Sequence, residues 1–151
     1  MALNRNYILL FLFSLVMTLS GLASLPPIDR DESRFVQATK QMAESGDYVD
    51  IRFQEASRYQ KPIGIYWLQS AAVTLSGEGA EAPIWVYRTI SALGIAIAVL
   101  AIAWTGTNLF GANAGIAAGL VMAAIFATAF EGRDAKTDAM LLACCVAAQG
   151  A

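Results

Sequence analysis

Asp29-Arg30-Asp31-Glu32-Ser33-Arg34-Phe35 opens a polar stretch that continues through Gly46-Asp47-Tyr48 to Tyr59-Gln60-Lys61-Pro62, with apolar segments on both sides of it. Charge beside lipid is costly and needs partners or water, so carboxylates and cations kept next to apolar segments mark a working surface. This arrangement predicts an all-α integral membrane chain with a charged loop.

Composition supports that class over a soluble domain. Hydrophobic residues make up 57% of the 151 and charged residues 15%, and the mean hydropathy is +0.53. Soluble domains are less apolar and more charged. Six of the ten Lys and Arg lie between Arg30 and Lys61, and the net charge of -2 gives no reason to expect a nucleic-acid partner. The absence of His removes the commonest general base and metal ligand. Cys144 and Cys145 are neighbours in an apolar run, about 100° apart on a helix, and read as packing residues rather than a disulfide.

Upstream of the polar stretch, residues 7–25 carry no charge and suit one bilayer crossing, with Arg5 and the amino terminus just before them. They read as an uncleaved first helix or as a signal peptide cleaved near Gly21-Leu22-Ala23-Ser24. The further apolar runs favour the first reading, and both put residue 26 onward outside the cytoplasm. Pro26-Pro27 stop the helix. Residues 30–45 then have helical spacing, with Phe35, Val36, Thr39, Met42 and Ala43 on one face and Gly46 as the stop. This predicts an amphipathic helix on the membrane surface. Residues 47–61 read as an ordered polar loop, and Pro62 begins a second interfacial helix running to about Leu75. Tyr59, Tyr66 and Trp67 read as interface anchors.

Downstream, spans are predicted over 84–104 and 112–130, with 106–115 an uncharged tight connection. Gly115, Gly119 and Ala123 make a small-residue packing stripe. Residues 131–138 are a charged connector, and 139–151 begin a fourth span too short to cross, so the sequence reads as the start of a longer chain. Span parity brings the connector to the same end as residues 26–83. Nine of the ten Lys and Arg would then gather on one face, which the positive-inside rule would put in the cytoplasm. The first loop, however, is near the length at which that rule weakens.

Six motifs, in order, carry a family resemblance. They are Asp31-Glu32-Ser33-Arg34-Phe35, then Met42-Ala43-Glu44-Ser45-Gly46-Asp47-Tyr48, then Tyr59-Gln60-Lys61-Pro62-Ile63-Gly64-Ile65-Tyr66-Trp67-Leu68. Tyr87-Arg88-Thr89-Ile90-Ser91-Ala92-Leu93, Leu109-Phe110-Gly111 and Arg133-Asp134-Ala135-Lys136-Thr137-Asp138-Ala139-Met140-Leu141-Leu142 follow. Together they resemble the N-terminal part of the polyprenyl-phosphate-sugar glycosyltransferases of the C superfamily. That family includes the lipid A aminoarabinose transferases and the protein O-mannosyltransferases.

The resemblance implies a multi-span enzyme of the bacterial inner membrane with its active face periplasmic. The enzyme would move a sugar from a polyprenyl-phosphate donor to a hydroxyl of a lipid A-like glycolipid or a protein. It would have membrane lipids around it and no nucleic acid. A stretch of this length is expected to be inactive alone. Asp31, heading the acidic pair, is the implied catalytic carboxylate. Lys61 and Arg88 are candidates for the donor phosphate, and Glu32 and Asp138 for orienting substrate. The chain departs from some aminoarabinose transferases at Gln60, where those have a Glu that helps hold a metal. No cofactor is therefore expected here, and a divalent metal would need ligands from residues outside this sequence.

Spacing alone offers plainer readings. Asp29 and Glu32 fit a capping box, Asp138 a helix cap, Arg34 a local pair, and Arg88 a pairing with a loop carboxylate, a headgroup contact or an interface anchor. The competing function is a small non-catalytic membrane protein whose charged loop binds a partner or lipid headgroups.

Overall fold

The computed structural model describes residues 5–27 and 29–151; the amino terminus expected just before the first span lies outside them. The order is α1 (Arg5–Leu19), α2 (Arg30–Ser45), β1 (Arg52–Phe53), β2 (Ala56–Ser57), α3 (Gly64–Ser76), α4 (Ile84–Phe110), α5 (Ala112–Ala124), α6 (Phe126–Glu131) and α7 (Asp138–Gly150). Among the described residues the regular structure is helical apart from a two-residue antiparallel pair, Arg52 opposite Ser57 and Phe53 opposite Ala56.

α4 is the axis, and α1, α3, α5, α6 and α7 all pack on it. Among the described residues it is the one helix long and apolar enough to cross a membrane; α1, α5 and α7 are apolar but shorter. At 27 residues it runs about 40 Å, more than the hydrocarbon thickness of a bilayer. Leu10 of α1, Ile95, Val99 and Ala103 of α4, Met122 of α5 and Ala139 of α7 form one buried cluster. Leu9, Val16, Trp104 and Val121 are exposed, an outer apolar face better suited to lipid or further protein than to water.

The helix boundaries differ from the sequence reading in three places. α1 ends at Leu19 and not at 25, because Gly21 turns left-handed at φ 78° and residues 20–24 coil. α4 runs through 106 to Phe110, and a single Gly111 at φ 90° makes the whole connection to α5. Gly106 and Gly115, read as loop ends, instead face each other inside two helices: a Cβ on Gly106 would lie 3.0 Å from Gly115 Cα. The third apolar run is broken at Ile125 (ψ 128°), which splits it into α5 and α6. The small-residue stripe does pack: Gly115, Gly119 and Ala123 are buried, with Gly119 set against Leu10, Val99 and Ala103.

α2 and α3 match their predicted extents closely, and each ends on a left-handed glycine, Gly46 at φ 70° and Gly77 at φ 76°. The buried face of α2 is Glu32, Phe35, Ala38, Thr39 and Met42, so Ala38 is inside where Val36 and Ala43 were expected. α2 packs on α3, with Phe35, Met42, Ile51, Ile65 and Tyr66 as a second core.

Candidate functional site

The site lies where the polar stretch meets the 131–137 connector. Asp29 caps α2, its Oδ1 accepting the Asp31 N–H at 3.0 Å. The reciprocal half of a capping box is missing, because Glu32 turns inward instead. There its carboxylate accepts two hydrogen bonds from Arg88, Nε to Oε1 at 2.7 Å and Nη2 to Oε2 at 2.9 Å. Oε1 also accepts the Ala135 N–H at 3.0 Å. Both side chains are 1% exposed.

Arg88 spends its remaining donors on the coil after α1. Nη1 donates to the carbonyls of Leu22 (2.9 Å) and Leu25 (2.7 Å), and Nη2 to that of Pro26 (3.1 Å). All five N–H groups are thereby used. The early end of α1 now has a physical account, since three carbonyls freed from helical bonding satisfy a buried guanidinium. Of the roles open to Arg88, pairing with a loop carboxylate is the one present, and it leaves no donor for a phosphate. One ion pair thus ties together α2, α4, the coil after α1 and the connector.

The two charged segments meet through further contacts. Lys136 Nζ lies 2.9 Å from Asp29 Oδ2 and 2.6 Å from Asp134 Oδ2. Gln69 of α3 donates to the Ala135 carbonyl, and Ser91 of α4 to that of Lys136. The Lys136 ion pair is the one charged contact of the Asp134 carboxylate among the described residues, and both of its oxygens are enclosed. Burial, with help from the Glu32 and Asp29 charges, pushes the Asp134 carboxyl up to about 6 against the pull of Lys136. For Lys136, burial works to lower the pKa, but the hydrogen bonds and charges of Asp134 and Asp29 outweigh it and raise the ammonium above its ordinary value. The Asp31 N–H and Lys136 hold Asp29 below the usual carboxylate range.

Asp31 stands one residue from this knot on the open side of α2. Its side chain is 46% exposed and pairs with Arg34 at 3.1 Å, the local partner expected for that arginine. Lys61 is exposed and lies just before α3. Asp138, the first residue of α7, is also exposed. The structure therefore brings Glu32 and Arg88 into direct contact and leaves Asp31, Lys61 and Asp138 accessible.

Tyr66 corrects the sequence reading. It is fully buried, not an interface anchor, and its ring stacks on Phe35 at 5.4 Å. Burial pushes its phenol up, and the nearby Arg58 only partly offsets this. Tyr59 and Trp67 are exposed; Trp67 Nε1 donates to the Tyr48 carbonyl at 2.7 Å, and Tyr59 hydroxyl donates to Asp50. Two residues that sequence reasoning did not single out matter here, Asp134 and Arg58. Both lie inside quoted motifs or beside them, but only their burial sets them apart. A cleft of about 400 Å³ lined by Gln41, Glu44, Asp47, Asp50 and Arg52 lies at the opposite end of α2 from Asp31. No group of three or more Cys, Asp or Glu among the described residues has metal-binding geometry.

Comparison with known proteins bears on this geometry. Residues 60–149 match the family model described as dolichyl-phosphate-mannose-protein mannosyltransferase. The chain is 30% identical over 99 residues to the undecaprenyl phosphate-alpha-4-amino-4-deoxy-L-arabinose arabinosyl transferase of Aeromonas salmonicida. It has the same identity over the same length to the corresponding protein of Aeromonas hydrophila. Each match covers 66% of this chain and 17% of the relative, so the chain spans a small part of the relatives' length. No solved structure matches it.

Proposed function

Since the chain belongs to the dolichyl-phosphate-mannose-protein mannosyltransferase family, a family of membrane glycosyltransferases that use polyprenyl-phosphate sugars, we propose that it forms the acceptor-activating part of such an enzyme. In this reading the protein moves a sugar from a polyprenyl phosphate to a hydroxyl of a lipid A-like glycolipid or a protein. The reaction takes place at the periplasmic face of the bacterial inner membrane, within a multi-span domain of which α1, α4, α5 with α6, and α7 are parts. The name of the Aeromonas relatives gives an undecaprenyl-phosphate-linked aminoarabinose as their donor, which supports a polyprenyl-phosphate sugar as the donor here.

The observation that carries the reading is the split of the acidic pair. Glu32 is wholly buried on Arg88, while Asp31 beside it faces outward on a capped first turn. A rigid, reachable carboxylate is what a general base requires. Asp31 takes the proton of the acceptor hydroxyl as its oxygen bonds to the anomeric carbon. The bond from that carbon to the phosphate oxygen breaks, the electron pair leaves with the polyprenyl phosphate, and the anomeric configuration inverts. Lys61 neutralises the departing phosphate, and Asp138 orients the substrate. Glu32 and Arg88 act by holding Asp31 in place.

Asp31→Asn in the full-length gene product tests this. Sugar transfer should fall by about a hundredfold or more, the scale of general-base loss, while thermal unfolding stays near wild type because the residue is half-exposed. Transfer at wild-type rate by the folded variant would overturn the assignment.

A further inference from the structure

Arg58 is buried to 8% exposure, yet it forms no ion pair among the described residues. Its backbone N–H is fixed on the carbonyl of buried Ile51 at 2.8 Å. Its Nε donates to Tyr66 hydroxyl at 3.2 Å. Its guanidinium carbon sits 5.5 Å from the Phe35 ring centroid, and Phe35 in turn stacks on Tyr66. Three constraints therefore aim one planar cation. Among the described residues its two terminal nitrogens have no hydrogen-bond partner, and they are not among the enclosed unsatisfied atoms, so they reach solvent.

The other buried cation among the described residues shows the contrast. Arg88 is saturated by a carboxylate and three carbonyls. A cation taken out of water without a counter-charge is costly. An aromatic face offsets only part of that cost, about 1–2 kcal/mol. Arg58 keeps a preorganised fork with two free arms, the geometry that suits the paired oxygens of a phosphate.

Its position fits the same chemistry. Phe35, whose ring lies under Arg58, is one helical turn after Asp31 on α2. The fork and the outward carboxylate therefore lie along the same N-terminal half of α2. Lys61 follows three residues later on the same segment.

We propose that Arg58 is a substrate-binding residue whose free guanidinium nitrogens take phosphate oxygens of the polyprenyl-phosphate donor, beside Asp31. This rests on the transferase reading for the lipid, though not for the anion site itself. Tyr66 and Phe35 are positioning residues that keep the fork turned outward.

The test is binding of undecaprenyl phosphate and, separately, of inorganic phosphate to the full-length protein in nanodiscs of uncharged lipid. Wild type is compared with Arg58→Met, which keeps the stem packing, and with Arg58→Lys. Thermal unfolding reports folding of each variant. Arg58→Met should bind the lipid phosphate about tenfold more weakly or worse, the scale of a lost hydrogen bond to a charged group. Arg58→Lys keeps the charge without the fork and should lose about threefold or more; it decides the matter if the methionine variant does not fold. Unchanged lipid affinity in a folded Arg58 variant overturns the role of Arg58 and leaves the transferase reading standing. Inorganic phosphate bound in an Arg58-dependent way, with no affinity for the lipid, upholds the anion site and overturns the lipid donor. Binding of neither overturns both.

Discussion

Arg88 holds Glu32 through two hydrogen bonds of 2.7 and 2.9 Å across 56 residues of sequence, with both side chains sealed from solvent. The pair is complete only because the coil after α1 and the Ala135 amide supply the other contacts. Removing one member leaves the other as a buried, uncompensated charge, which costs about 3–5 kcal/mol. Glu32→Ala and Arg88→Met should each sharply lower the thermal unfolding midpoint in detergent. The double variant should lose less than the sum of the two, because neither charge is then stranded. Strict additivity would show that the pair does not organise the fold.

Asp134 makes stability pH-dependent. Its carboxyl titrates near 6 in the folded chain against an ordinary value of 3.8. Between those values the folded state holds the proton more tightly than the unfolded chain. Stability from this group therefore falls as pH rises from about 4 to about 6 and stays reduced above that. Asp29 acts in the opposite sense: its lowered pKa adds stability above its ordinary 3.8 that is lost as pH falls. Asp134→Asn should flatten the profile between pH 4 and 6. It should be more stable than wild type at pH 7 by on the order of 2 kcal/mol. Unfolding midpoints across pH check this, and parallel profiles for the two proteins would refute it.

Lys61 separates binding from folding. It is exposed and forms no ion pair among the described residues. Lys61→Ala should therefore shift stability by less than about 0.5 kcal/mol. Donor binding should weaken by about tenfold, as for loss of one charged hydrogen bond. Titration with undecaprenyl phosphate measures it, and an unchanged dissociation constant removes Lys61 from the donor site.

Gly94 tests the packing of α7 on α4. A Cβ there would meet the Ala139 carbonyl carbon at 2.9 Å and the Met140 nitrogen at 3.0 Å, both backbone atoms with little room to yield. Gly94→Ala should cost about 1–3 kcal/mol despite the better helix propensity of alanine. Gly64→Ala has nothing within 4 Å and serves as the neutral control. Equal midpoints for the two variants would mean that α7 is not seated on α4 as described.

Most of the helices, though not all their ends, are legible in the local sequence. Apolar runs long enough to need burial, glycines at 46 and 77 that can turn left-handed, and the spacing of Phe35, Thr39 and Met42 are local signals, and α2, α3 and the core of α4 follow from them. The likeness of its motifs to the transferase family was legible for the same reason. Which charges face inward follows from long-range packing instead. Asp29, Asp31 and Glu32 look alike in the chain, yet one caps, one faces out and one is buried, because Arg88 arrives from 56 residues away. Arg34 reads as a local pair and Arg88 allows several roles in the sequence, whereas nothing in it sets Arg58 apart. Arg58 owes its open fork to Phe35 and Tyr66, brought together by the packing of α3 on α2. Helix formation depends on neighbours within a few residues, whereas the state of a buried charge depends on whatever the fold places within hydrogen-bonding distance of it.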